Sequence, residues 1–101
     1  MEVKINKETY LTLEKLKVDK GKSIEEAIEL IVKNTIENGI EITYMEDCIG
    51  KKLVKFNPSP SLMEDIENKA LLEILEPEEL VRKILKAQCF LYETVPNFFK
   101  L

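Results

Sequence analysis

Apolar and polar residues alternate at the start of this chain: Val3 and Ile5 on one side, Glu2, Lys4 and Asn6 on the other. Alternation with a period of two predicts a short, half-buried strand. After Asn6 the period changes. Tyr10, Leu13, Leu16 and Lys17 lie three, then three, then one apart, which on a helix makes an apolar stripe with a lysine edge. Asn6 can cap that helix by accepting from free first-turn amides. Gly21 can end it, because glycine takes the left-handed terminal conformation without steric penalty. Ser23 then opens a second helix, with Glu26 at the capping-box spacing. Ala27, Ile28, Ile31, Val32 and Ile36 give it a wide apolar face, and Asn38-Gly39 stops it.

Alternation returns over residues 40–45, which read as a further strand. Residues 46–51, with Gly50, read as a turn, and 52–56 as another strand, so a hairpin between the two is one arrangement the pattern allows. Asn57-Pro58-Ser59-Pro60-Ser61 punctuates the chain, its prolines tolerated where first-turn amides have no helical partner. A third helix is predicted over residues 61–75, with Leu62, Ile66, Ala70 and Leu71 on its apolar stripe and Ile74 continuing it. Glu76-Pro77-Glu78-Glu79 is a helix start, with acids suited to the positive end of the helix dipole. Leu80, Val81, Ile84 and Leu85 form the face of this fourth helix, and Ala87 to Tyr92 extend it. The tail, Val95-Pro96-Asn97-Phe98-Phe99, reads as folding back over the core, since two phenylalanines left in water invite aggregation; its alternative is a docking segment.

The element order is therefore β-α-α-β-β-α-α, and it contains an echo. Val3-Lys4-Ile5-Asn6 and Val54-Lys55-Phe56-Asn57 follow the same rule 51 residues apart, and Ser23 aligns best with Glu76, 53 residues on. The chain reads as one small unit written twice: residues 1–39, a linking segment 40–51 with its own strand, and residues 52–101, the two units sharing one core. At 101 residues with 45% apolar side chains, one domain of this kind can bury a real core.

Charge is distributed unevenly. The net charge is −4, which argues against indiscriminate nucleic-acid binding by the whole surface. Yet residues 1–22 hold six lysines against four acids, residues 23–50 one lysine against seven acids, and residues 51–55 three lysines and no acid. Positive charge thus collects around the two echoed segments. Arg82 is the sole arginine.

Catalytic chemistry is poorly supported. The chain has no histidine, and its two cysteines, Cys48 and Cys89, lie far apart outside any metal-binding spacing. Cys89 reads as a small core residue and Cys48 as a loop or strand-end residue; a disulfide between them stays open. There is no glycine-rich phosphate loop, and Glu25-Glu26 and Glu78-Glu79 diverge around their helix axes. No enzyme activity, cofactor or metal is expected. No apolar run is long enough to span a membrane and no basic-then-apolar leader opens the chain, so a cytoplasmic location is the expectation.

The first half, residues 2–34, resembles the ribbon-helix-helix family of small transcriptional repressors and antitoxins. The resemblance is carried by Val3-Lys4-Ile5-Asn6, Tyr10, Leu13-x-x-Leu16, Gly21-Lys22-Ser23, Ile24, Ala27-Ile28 and Ile31. Residues 53–87 look like a degenerate copy that keeps the strand and two helices but carries Leu75-Glu76-Pro77 where Gly-x-Ser would stand. Family members dimerise so that two strands form an antiparallel ribbon over four interlocked helices. The resemblance implies a mostly α fold with a short β-ribbon, a tandem pseudo-dimer closed within one chain, or further paired as a homo-oligomer.

It also implies function. A ribbon of this kind enters the major groove of double-stranded DNA, and its outward side chains read base edges. Those positions here are Glu2, Lys4, Lys51, Leu53 and Lys55. The start of the second helix holds a phosphate, which assigns the clamp to Gly21, Lys22 and Ser23. The copy departs from this pattern. Glu76-Pro77-Glu78-Glu79 offers three carboxylates and lacks one N–H, Glu2 has the wrong sign for DNA, and Leu53 can only touch a thymine methyl. The DNA footprint is therefore expected to be lopsided. The alternatives are that Lys4 and Lys55 only keep an exposed ribbon soluble, that Lys22 is a solvated loop residue, and that the chain is a protein–protein module, antitoxin-like or inhibitory, that no longer binds DNA.

Overall fold

In the computed structural model, which describes residues 1–39 and 49–94, six elements follow one another. They are β1 (Glu2–Ile5), α1 (Lys7–Lys20), α2 (Ile24–Glu37), β2 (Lys52–Lys55), α3 (Pro60–Glu73) and α4 (Pro77–Thr94). The fold is mostly helical with one small two-stranded antiparallel sheet. The strand and hairpin expected over residues 40–45, Cys48, and the aromatic tail from Val95 onward lie outside the described residues.

The caps explain where the helices begin. Asn6 Oδ1 accepts from the Thr9 amide at 2.8 Å and starts α1. At α2, Ser23 Oγ accepts from the Glu26 amide at 3.1 Å while Glu26 Oε1 accepts from the Ser23 amide at 3.2 Å, a complete capping box. Ser59 caps α3, accepting from Leu62 at 3.3 Å, so Pro60 occupies the first helical position and the helix begins one residue earlier than the sequence pattern suggests. Glu76 stands at the start of α4: its amide donates to Glu79 Oε1 at 3.5 Å, and its carbonyl accepts from Leu80 at 3.0 Å.

β1 and β2 pair in one register: Glu2 with Lys55, Val3 with Val54, Lys4 with Leu53, Ile5 with Lys52. The ladder gains one more pair where the Met1 amino group donates to the Phe56 carbonyl at 2.6 Å and the Phe56 amide donates to the Met1 carbonyl at 2.9 Å. Val3, Ile5, Val54 and Phe56 point down into the core. Burying such side chains is the main source of stability in a domain of this size.

Below the ribbon, α1 packs on α2 and on α4, α3 packs on α2 and on α4, and the two second helices, α2 and α4, pack on each other. Each first helix therefore touches the second helix of both halves. The core joins Leu13 and Leu16 of α1, Ala27, Ile28, Ile31 and Val32 of α2, Leu62, Ile66 and Ala70 of α3, and Leu80, Val81, Ile84, Leu85, Cys89 and Tyr92 of α4. α4 also lies against β1 and is covered by all three other helices. This is why it buries residues that a periodic stripe would leave out, Arg82 and Gln88 among them.

Two predicted faces differ from the observed ones. On α3 the apolar stripe ends at Ala70: Leu71 is exposed, and so is Ile74, which forms the helix cap instead of continuing the face. The helix has already turned those positions away from α2 and α4. On α1 the threonines Thr9 and Thr12 are buried beside Leu13 and Leu16. Thr12 can be buried because its hydroxyl donates to a carboxylate that α4 supplies, Glu93 Oε1, at 3.0 Å.

Candidate nucleic-acid interface

The exposed face of the ribbon follows from its register. In an antiparallel pair, residues directly opposite share a face. Glu2 and Lys55 therefore share the outward face with Lys4 and Leu53, and all four are exposed. Lys51, in the bend just before β2, is exposed as well. All five sequence-predicted ribbon positions thus lie at or beside one surface.

The register also has a centre. Val3 pairs with Val54, its own counterpart in the echo, so an approximate two-fold axis runs through that pair. It relates Lys4 to Lys55 and Glu2 to Leu53. The two lysines consequently stand diagonally on the outward face, one on each strand. Among the described residues neither has an ion-pair partner within 4.0 Å. Leu53 adds 45% exposed apolar surface between them.

Gly21, Lys22 and Ser23 form the corner between α1 and α2. Gly21 takes the left-handed conformation, φ 64°, ψ 28°, that releases the chain from α1. Ser23 Oγ is occupied by its cap, and Lys22 is half-buried. The corner lies beside the ribbon: Glu25 Oε1, two residues into α2, accepts from the Asn57 amide just beyond β2 at 2.9 Å. This places Lys22 and the start of α2 near the Glu2/Lys55 end of the ribbon.

The matching corner between α3 and α4 has the same backbone plan and different chemistry. Ile74 takes the left-handed position of Gly21, φ 58°, ψ 48°. Glu76 stands where Ser23 does, and Glu79 mimics Glu26. Glu78 holds the Arg82 guanidinium at 3.5 Å, so the chain's arginine is turned inward. With carboxylates at 76, 78 and 79 and a proline at 77, this corner repels phosphate.

Sequence reasoning passed over a second cluster of basic residues at the opposite, Ile5/Lys52 end of the ribbon. Lys7, Tyr10 and Leu11 from α1, Lys51 just before β2 and Lys52 at its start line an open groove of about 490 Å³. The Lys52 ammonium sits 4.4 Å from the centre of the Tyr10 ring. Hydrogen bonding with the Glu14 carboxylate, with some desolvation, raises the Tyr10 phenol above its ordinary pKa. Lys7 and Lys51 are far apart in sequence, and only the strand pairing brings them together. A second cleft, of about 370 Å³ between α1 and α4, is lined by Glu8, Thr12, Cys89 and Glu93 among others.

The thiol of that cleft is not activated. Cys89 is buried, and burial together with the nearby Glu93 charge pushes its thiol up to about 12, far from a reactive thiolate. Among the described residues no cluster of acids or cysteines could hold a metal ion, and no helix is long and apolar enough to cross a membrane. No protein-family model, curated protein or solved structure matches this chain.

Proposed function

We propose that this chain is a DNA-binding transcriptional regulator, a tandem ribbon-helix-helix pseudo-dimer whose two-stranded ribbon enters the major groove. The observation that carries the reading is the diagonal pair Lys4 and Lys55, exposed, without ion-pair partners among the described residues, and related by the axis through Val3 and Val54. A two-stranded ribbon fits the width of the major groove, and DNA sites with approximate two-fold symmetry match a protein surface with the same symmetry. Each first helix touching the second helix of both halves supports the pseudo-dimer. In this reading Lys4 and Lys55 reach base edges, Leu53 meets a thymine methyl, and Lys22 at the start of α2 approaches a phosphate.

The test is fluorescence anisotropy on a labelled pool of random-sequence duplexes, titrated at several salt concentrations, with Lys4→Glu/Lys55→Glu as the comparison. Binding that weakens steeply with salt and is lost in the double variant is the expected result. A folded protein that fails to bind at low salt overturns it.

A second reading is favoured by one specific feature. Leu71, Leu72 and Ile74 are all strongly exposed beside the acidic α3–α4 corner. A clustered apolar surface of this kind is characteristic of protein contacts, so this corner could serve a protein partner instead of, or together with, DNA.

A further inference from the structure

We propose that the groove formed by Lys7, Tyr10, Leu11, Lys51 and Lys52 is a second DNA-backbone site, serving the ribbon end whose helix corner cannot hold phosphate. The proposal rests on the DNA-binding reading and assigns it a contact that the echo in the sequence does not contain.

The argument begins with the asymmetry of the two ribbon ends. At the Glu2/Lys55 end, the start of α2 lies beside the ribbon and offers Lys22. The approximate two-fold axis assigns the Ile5/Lys52 end to the start of α4, which carries Glu76, Glu78, Glu79 and Pro77 instead. A duplex seated on the ribbon passes its backbone at both ends, so one backbone would meet a repulsive corner. The lysine groove lies at that same end, and it is not repeated across the axis: Pro58 stands at the position equivalent to Lys7, and Met1 at the position equivalent to Lys52.

The groove also suits a sugar-phosphate chain. Its floor is apolar, built from the Tyr10 ring and the half-exposed Leu11, and its rim carries three ammonium groups. Apolar sugar faces and anionic phosphates alternate along a DNA strand with the same pairing of surfaces. Among the described residues no acid lines the groove. Glu8, next to Lys7, lines the separate cleft on the other side of α1, and the nearby Glu14 carboxylate acts on the Tyr10 phenol.

Lys7 itself breaks a local rule. It occupies the first position of α1, where the positive end of the helix dipole favours an acid and disfavours a lysine. A residue that works against its own helix is more readily explained by a ligand than by stability. An anion at this point would meet both the Lys7 ammonium and the positive end of the helix.

The experiment uses the full chain, the same duplex pool and a set of individual duplexes of defined sequence, comparing Lys7→Gln/Lys52→Gln with Lys7→Arg/Lys52→Arg and with Lys4→Gln. Circular dichroism melts confirm that each is folded. The glutamine pair is expected to lose roughly tenfold in affinity at moderate salt, equally across sequences, and its salt dependence to shallow by about two released counterions. The arginine pair is expected to keep both, and Lys4→Gln to change sequence preference instead. Wild-type binding with an unchanged salt slope in the glutamine pair would overturn this site and leave the DNA-binding reading standing. Absence of wild-type binding at low salt would remove both.

Discussion

Val3 faces Val54 across the ribbon, and Val54 is also its counterpart in the repeated sequence pattern. A residue that pairs with its own repeat marks the axis of the arrangement. A slip of one residue by either strand would move the axis off that pair and turn that strand's outward lysine, Lys4 or Lys55, toward the core. The identity of the central pair therefore decides which residues are available to a ligand.

The left-handed cap at Ile74 is strained. A β-branched side chain at positive φ costs about 1–2 kcal/mol, and at 91% exposure Ile74 gains little packing in return. Ile74→Gly removes that strain and gives back part of it as glycine's extra backbone entropy. The expected outcome is a net stabilisation of about 1 kcal/mol in urea unfolding, with Ile74→Asn between the two. Gly21→Ala, at φ 64°, is expected to shift stability the other way. A destabilised Ile74→Gly would mean that Ile74 makes packing contacts its exposure does not reveal.

Gly50 has no room for a side chain. A Cβ there would run into the Ile5 carbonyl and the Asn6 amide nitrogen, where the chain enters β2 and the Gly50 amide reaches the Lys4 carbonyl at 3.4 Å. Gly50→Ala must push the start of β2 away from β1. A loss of at least about 2 kcal/mol is expected, read as a lower urea midpoint. An unchanged midpoint would show that the strands approach less closely at this end.

The capping box makes part of the stability depend on pH. Hydrogen bonds from the Ser23 backbone and hydroxyl hold the Glu26 carboxyl below its ordinary value of 4.5. Because the folded pKa is the lower one, this contribution is fully present above the unfolded value and is lost as pH falls through the folded value. Glu26→Gln keeps the spacing without the charge. Melting temperatures of the two proteins should differ at pH 7 and converge as pH falls below the lowered folded value of the Glu26 carboxyl. A constant gap between the curves would place the effect elsewhere.

Glu2 is the acid among the outward positions of the ribbon. It opposes Lys55 on the outward face, where such a cross-strand pair contributes roughly 0.2–1 kcal/mol. Neutralising it should lower fold stability slightly. In the DNA-binding reading it should also raise DNA affinity roughly two- to fivefold at low salt, because a repulsive charge leaves the phosphate-facing surface. Opposite signs in a melt and an anisotropy titration of Glu2→Gln are the expected pattern. Weaker binding instead would mean that Glu2 accepts from a base edge.

The helices and their ends were legible because the signals are local. Asn6, Ser23 with Glu26, and Gly21 act within four residues of themselves, and each does what its type and spacing imply. The outward positions of the ribbon were legible for the same reason, since alternation assigns a face before any partner is known. The exposure of Leu71 and Ile74 was not legible. A stripe of apolar residues says that a helix has an apolar face, but only the helices packed against it decide where that face ends.

The amino-acid sequence by itself determined the six described elements, the caps that open α1 and α2, and the outward positions of the ribbon. The tertiary structure decided what those side chains stand next to. It set Val3 against Val54, tied the start of α2 to the chain beyond β2 through Glu25 and Asn57, and gathered Lys7, Lys51 and Lys52 around Tyr10. Local periodicity fixes which way a residue faces. Register and helix packing are long-range choices, made by the fit of the whole core, and they alone place distant charges on a common surface.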